Sequence, residues 1–200
     1  MKRRAATAGA AADAGSVYSE VGAVCGRPLF VLLCEVTDMD CMIRKWRISD
    51  RERLAEMLNN PKVLDNLRDG LPCPYTPEDG EEYIRSMLAA DETKTFAFAI
   101  TVDDAVIGSI GVFRGENIHS RTAELGYYIG EPYWGKGYAA SAVKQVCRYV
   151  FDHSDEPFAY NAASRRVLEK AGFQLEGTLR SNAVKNGKVL DMTMYALVRE

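Results

Sequence analysis

Positive charge is not in surplus in this chain. Its 25 Lys and Arg are outnumbered by 28 Asp and Glu, for a net charge of −3, so a general nucleic-acid binder, which needs a basic surface to track a phosphate backbone, is disfavoured. Histidine is scarce, with only His119 and His153, and the five cysteines (Cys25, Cys34, Cys41, Cys73 and Cys147) fall at irregular spacing without a Cys-x-x-Cys pair. Neither a disulfide framework nor a zinc site is supported, and no metal is expected. Long apolar runs are missing as well. Pro28 to Cys34 is too short to span a bilayer, and Met1-Lys2-Arg3-Arg4 leads into an Ala/Gly stretch broken by Asp13 rather than into the apolar segment of a secretory signal. These absences lead us to expect a cytoplasmic protein with reduced thiols and no membrane partner. Hydrophobic residues make up 47% of 200 positions, enough for one packed core and one domain.

Residues 1–41 stand apart, Ala/Gly-rich at first and then carrying the short apolar piece Leu29 to Cys34. Two readings are open: an added strand or disordered arm, or an artefactual leader with translation beginning at Met42. The functional domain is expected over 42–200. Ile43 to Arg47 reads as an edge strand, and Ser49-Asp50 as the cap of a helix carrying Leu54, Met57 and Leu58. Pro61 starts a short helical piece. Thr76-Pro77-Glu78-Asp79 combines a cap, a first-turn proline and acids at the positive end of a helix whose apolar face is Tyr83, Ile84 and Leu88. Strands are expected at Phe96 to Val102, Ala105 to Arg114 and Thr122 to Ile129, then a helix from Gly137 to about Phe151. Asn161 is expected to cap a helix ending at Ala171-Gly172, and a hairpin of Phe173 to Arg180 and Val189 to Leu197 closes the chain around Asn186-Gly187.

The chemistry concentrates in the turn Gly130-Glu131-Pro132-Tyr133-Trp134-Gly135-Lys136-Gly137-Tyr138-Ala139-Ala140, which joins a strand pattern to a helix pattern. Backbone N–H groups at such a turn converge on an anion, and the helix N-terminus adds about half a positive charge. As Gly130-x4-Gly135-Lys136 the turn approaches a P-loop, but Gly137 stands where a magnesium-ligating Ser or Thr is needed. As Gly135-x-Gly137-x-x-Ala140 it approaches a dinucleotide fingerprint, but Asp152 and Asp155 come too early for the ribose-binding acid.

A third reading covers more of the chain. Glu124-Leu125-Gly126-Tyr127-Tyr128-Ile129-Gly130, Trp134-Gly135-Lys136-Gly137-Tyr138-Ala139, Asn161-Ala162-Ala163-Ser164 and Lys170-Ala171-Gly172-Phe173 with Glu176-Gly177 together resemble the GNAT superfamily of acyl-CoA-dependent N-acetyltransferases. Within it the chain looks most like the branch that acetylates ribosomal-protein α-amino groups. The resemblance runs from about Met42 to Val198, with Trp134 in place of the Gln or Arg usual at the loop's start. It implies an α/β sandwich in three layers around a mixed, mostly antiparallel sheet, and acetyl-CoA as co-substrate.

By the same resemblance, Tyr128 and Ile129 lie along the pantetheine arm, and Trp134, Gly135, Lys136, Gly137, Tyr138 and Ala139 hold the pyrophosphate. Asn161 hydrogen-bonds the pantetheine, unless it serves only as a helix cap. Ser164 falls where the branch places a general acid near the sulfur. A tyrosine used for this by other members is Leu168 here, and an acid of the last hairpin falls near Ala183. Glu124, in a strand that reads as central, is a candidate base if burial raises its pKa. Lys136 either touches a phosphate or faces water, and Glu78, Asp79, Glu81 and Glu82 either draw a cationic acceptor or complement the helix dipole. Only nine residues, Asp152 to Tyr160, separate the long helix from Asn161. Glu156 to Tyr160 spans roughly 17 Å at about 3.3 Å per residue, so the strand beside the cofactor slot is expected to be short.

The reaction implied is direct attack of a primary amine, a protein N-terminus or a small molecule, on the thioester, by a monomer or homodimer. The rivals are a non-catalytic acyl-CoA-binding module and a nucleotide switch.

Overall fold

The computed structural model describes residues 41–153, 158–161 and 165–198. Seven strands form one sheet: β1 (Met42–Arg44), β2 (Thr95–Val102), β3 (Ala105–Arg114), β4 (Ala123–Ile129), β5 (Phe158–Asn161), β6 (Gln174–Lys185) and β7 (Lys188–Val198). Their spatial order is β1-β2-β3-β4-β5-β7-β6. Every pairing is antiparallel except β4 with β5. The helices are α1 (Arg51–Leu58), α2 (Pro61–Leu64), α3 (Pro77–Leu88), α4 (Tyr138–His153) and α5 (Arg165–Ala171).

Turn chemistry sets these elements. Asp103 and Asp104 (φ 50° and 64°) and Asn186 and Gly187 (φ 50° and 73°) make the two tight hairpins with residue types that tolerate left-handed backbone. At α3 the expected capping box is present: the Asp79 N–H donates to Thr76 Oγ1 at 3.2 Å and the Thr76 N–H to Asp79 Oδ2 at 2.9 Å. Helix α5 ends at Gly172 (φ 96°), where the Phe173 N–H reaches back to the Leu168 carbonyl at 3.0 Å.

Alternation along the strands divides the core. Phe96, Phe98, Ile100, Ile110, Val112, Leu125, Tyr127 and Ile129 meet α4 through Ala142, Val143 and Val146. Each of these valines is fully buried, a contribution of about 1.5–3 kcal/mol apiece. The opposite face meets α1 and α3 with small residues, Ala97 and Ala99 from β2 and, further along, Ser109, Gly111 and Gly126. Helices resting on so small a floor leave space, and the cleft described below lies there.

Three expectations need correction. Strand β1 ends at Arg44, and Ser49-Asp50 lies in a 3-10 turn, Ile48–Asp50, with Asp50 at the N-cap position of α1 but making no side-chain cap bond to it. The Asp50 carboxylate turns back to accept the Arg47 N–H at 2.8 Å and both terminal nitrogens of Arg44 at 2.8 and 2.9 Å, so Lys45 to Arg47 leave the sheet to reach it. Strand β6 runs on to Lys185, past a bulge at Ser181 (φ 51°) whose N–H donates to Asp191 at 2.8 Å. Just before β1, Cys41 is buried in the core and its carbonyl accepts from Gln145 Nε2 at 3.0 Å. Residues 1–40 lie outside the described residues.

Burial alone would raise the Asp50 pKa, but the Arg44 fork and the Arg47 N–H outweigh it and hold the carboxyl below its ordinary value. A lowered folded-state pKa contributes stability that is present above the unfolded value of about 3.9 and is lost as pH falls through the folded value. Asp50→Asn is expected to cost about 2–3 kcal/mol at pH 7, because Arg44 loses one of two carboxylate partners. The gap in urea midpoint between variant and parent should shrink below about pH 4. A gap equal at pH 7 and pH 3 would show that the charge of Asp50 carries none of it.

Candidate functional site

The site begins where two parallel strands part. Strand β5 has four residues and pairs with β4 only at Ala123–Ala159 and Glu124–Tyr160, whereas β4 runs on to Ile129. The sheet forks there, toward the C-terminal ends of both strands. Shortness of β5, expected from the sequence, leaves the fork in place.

Register decides which β4 amides face the fork. The Gly130 N–H donates to the Ile107 carbonyl at 2.8 Å, and Tyr128 pairs directly with Ser109. Alternation in an antiparallel ladder then commits the Tyr128 N–H to β3 and turns that of Ile129 to the fork side. The Ile129 carbonyl lies on the same side and accepts from Trp134 Nε1 at 2.6 Å. Of the two amides expected along the pantetheine, only that of Ile129 faces the opening.

The loop after β4 is pinned from several directions. Glu131 binds Lys62 and accepts from Asn60 Nδ2 at 2.7 Å, and Arg53 donates to the Tyr133 hydroxyl at 3.1 Å and to the Val106 carbonyl at 3.0 Å. Trp134 packs against both core clusters. Its indole is thus a brace, and Lys136 extends its ammonium over the Tyr133 ring, 5.5 Å from the centroid. Gly135 and Gly137 stand at φ 75° and 86°, and a Cβ on either would meet no protein atom within 4 Å. Such backbone favours glycine, and the space beside it is open. The first bond within α4 is Ser141 N–H to the Gly137 carbonyl, 3.1 Å, so the N–H groups of Tyr138, Ala139 and Ala140 have no acceptor inside the helix. Ala139 is buried and offers its backbone alone. An open glycine turn, first-turn N–H groups and a forked sheet fit a ligand with a diphosphate and a narrow amide-bearing arm.

Across the sheet lies the cleft. It is lined by Leu54 and Leu58 of α1, Leu67, Leu71 and Tyr75 of the α2–α3 segment, Tyr83 of α3, and Ser109, Gly111, Phe113, Gly126, Tyr127 and Tyr128 of β3 and β4. Its volume of about 40 Å³ takes roughly three water-sized groups. Among the described residues no Asp or Glu lines it. Lys185 closes one side, bonding the Leu67 carbonyl at 2.8 Å and Asp69 at 2.6 Å, with Asn186 on Asp65 at 2.9 Å, so the β6–β7 turn is tied to the α2–α3 segment.

Several sequence expectations change here. Glu124 is not a lone buried acid. Its side chain is 28% exposed and ion-paired with Arg68, which removes the reason for expecting a base there. Asn161 ends β5, opposite Tyr195, and residues 162–164, over which it was expected to cap α5, lie outside the described residues. Ser164 lies outside the described residues. Leu168 is fully buried and Ala183 pairs with Leu190. In the acidic cluster, Asp79 caps α3, Glu81 binds Arg51 and Arg85, and Glu78 and Glu82 are exposed, so the run serves the helix. Arg68, Tyr75, Tyr83, Ser109 and Tyr127 were not singled out as site residues by sequence, and Tyr128 was expected only beside the pantetheine. A serine and two glycines on one face of two central strands were the available signal.

The profile of the acetyltransferase (GNAT) domain family matches residues 41–174. The chain belongs to the GNAT acetyltransferases. A probable N-acetyltransferase of Bacillus subtilis, YjcK, is 34% identical over 86% of this acetyltransferase and 95% of its own length. The putative ribosomal N-acetyltransferase YdaF of the same organism is 26% identical over 83% and 94%. Among solved structures, the RimL ribosomal L7/L12 α-N-protein acetyltransferase in complex with coenzyme A superposes with a TM-score of 0.70 at 19% identity, covering 81% of this chain and 96% of its own. The fold expectation, an α/β GNAT sandwich, is thereby met, and the family uses acetyl-CoA as acyl donor. Among the described residues no cluster of three or more His, Cys, Asp or Glu gathers to hold a metal, and no helix is long and apolar enough to cross a membrane.

Proposed function

We propose that this acetyltransferase moves the acetyl group of acetyl-CoA to the α-amine of a protein N-terminus. The observation that carries this reading is a small cleft with no carboxylate among its described lining residues. Polyamines and aminoglycosides carry several positive charges, and an uncharged lining gives those charges nothing to pair with. An N-terminal residue brings one amine and a small side chain. The naming of two relatives, YdaF and the ribosomal-protein-serine acetyltransferase of Escherichia coli, for ribosomal substrates supports the same choice.

The chain's own groups divide the work. Backbone N–H groups of Gly135 to Ala139 hold the diphosphate, while Trp134 and Lys136 shape the loop that presents them. The Ile129 N–H donates to the thioester oxygen, with most effect as negative charge develops there. Asn161 lines the arm. Ser164 protonates the departing thiolate. An α-amine, with an unperturbed pKa of about 7.7–8.0, is partly neutral at pH 7 and sheds its proton to water without a strong base. Glu124 instead holds Arg68, and with it the segment that roofs the cleft.

The test is thiol release from acetyl-CoA over peptide N-termini, spermidine and an aminoglycoside, with product masses. Peptides should exceed spermidine at least about tenfold in kcat/KM, and acetyl-CoA, but not ATP with magnesium, should raise the thermal midpoint. Preferential spermidine acetylation would overturn the acceptor assignment, and acetyl-CoA binding without thiol release would indicate a non-catalytic binding module.

A further inference from the structure

The cleft is lined by a tyrosine whose hydroxyl finds no hydrogen-bond partner among the described residues. Tyr128 is 8% exposed, and its hydroxyl is shut off from solvent and makes no hydrogen bond. Such groups are rare, because a buried hydroxyl without a partner costs free energy that a phenylalanine would avoid. Its neighbours show what surrounds it. The Tyr83 hydroxyl stands 3.5 Å from Ser109 Oγ, a long contact, and the Tyr75 hydroxyl donates to the Asp79 carbonyl at 3.3 Å. Burial first, and the nearby Tyr83 and Tyr75 phenols second, push the Tyr128 phenol well above its ordinary value, so it stays protonated at any working pH. It is therefore a neutral donor and acceptor, and not a base.

We propose that the Tyr128 hydroxyl selects acceptors that carry a hydroxyl beside the reacting amine, a 1,2-amino-alcohol arrangement such as an N-terminal serine or threonine presents. The inference rests on the cleft being the acceptor site. Three features narrow the ligand chemistry. The volume admits roughly three water-sized groups, which restricts the inserted tip to a few heavy atoms. The lining is apolar and uncharged apart from its phenols and Ser109, so a charged tip would be unmatched. A hydroxyl both donates and accepts, as do Tyr128, Tyr83 and Ser109, so one inserted hydroxyl satisfies Tyr128 and replaces the long Tyr83–Ser109 contact. Sites built to bond a substrate hydroxyl reject the analogue that lacks it far more strongly than apolar pockets reject an added methylene.

The experiment uses matched pairs differing by that hydroxyl: peptides beginning with Ser or Ala, peptides beginning with Thr or Val, and 2-aminoethanol against propylamine. Initial rates are measured with acetyl-CoA, and binding of each pair to the full chain saturated with coenzyme A is measured by calorimetry. The hydroxyl-bearing member is expected to be preferred about tenfold or more. In Tyr128→Phe this ratio should fall toward one, with acetyl-CoA affinity unchanged and the unliganded thermal midpoint equal or higher. Ser109→Ala should lower the ratio partially. Preference seen with 2-aminoethanol but with no peptide would uphold the hydroxyl selection while overturning the protein-acceptor reading. Equal use of each pair by the parent protein, or an undiminished ratio in Tyr128→Phe, overturns the proposal. So does a lowered midpoint in Tyr128→Phe, since that would show the hydroxyl to be satisfied in the free protein.

Discussion

Gly137→Val is expected to weaken acetyl-CoA binding by at least about 100-fold while leaving the protein folded. The expectation combines two effects at one residue. Gly137 sits at φ 86°, which a β-branched residue adopts only with strain of about 1–2 kcal/mol or more. The loop relieves that strain by changing its path, and the N–H groups of residues 137 to 139 then no longer converge. A valine that kept the path would place its side chain in open space, since no protein atom lies within 4 Å of the Cβ position, and that is the space proposed for the diphosphate. Gly187→Val separates strain from site, because Gly187 has a similar φ of 73° and equally open surroundings but lies in the β6–β7 turn. It should lower the thermal midpoint without changing acetyl-CoA affinity. Calorimetric titration of both variants decides the matter. Unchanged affinity in folded Gly137→Val would show that the loop does not hold the cofactor.

Ser164→Ala should reduce kcat about 100-fold with acetyl-CoA affinity intact. A general acid acts on charge that appears only as the carbon–sulfur bond breaks, so its loss falls on the transition state and not on the ground-state complex. Effects of 10²–10⁴ are usual for positioned acids. The assignment rests on sequence resemblance. The tyrosine used elsewhere in the family is replaced by Leu168, which is fully buried and faces the core. Stopped-flow thiol release at saturating acetyl-CoA gives kcat directly, and calorimetry gives the affinity. An alanine variant with parental kcat would leave solvent as the proton donor.

Much of this protein was legible in its sequence, for a shared reason. The Thr76–Asp79 capping box, the Asp103-Asp104 and Asn186-Gly187 turns, the Gly172 stop and the positive-φ glycines of the loop are settled by residues a few positions apart. The loop's chemistry was legible too, because it belongs to backbone and not to side chains that must be brought from elsewhere. The sequence misled where a side chain had a choice of partners. Asp50 reads as a cap because nothing local shows that Arg44 will fold over it. Glu124 reads as a buried acid because Arg68, which pairs with it, comes from the α2–α3 segment.

The sequence by itself determined the family, the order of elements and the place of the glycine loop proposed to hold the diphosphate, all carried by short-range pattern. Only tertiary structure decided the cleft. Its tyrosines, its serine and its small-residue floor come from α3, the segment before it and two central strands. No spacing rule links them, because their proximity arises from small strand residues that let the helices stand off from the sheet. The unpartnered Tyr128 hydroxyl is likewise a property of packing: a tyrosine in a strand is ordinary until the surrounding elements close over it and supply no hydrogen-bond partner.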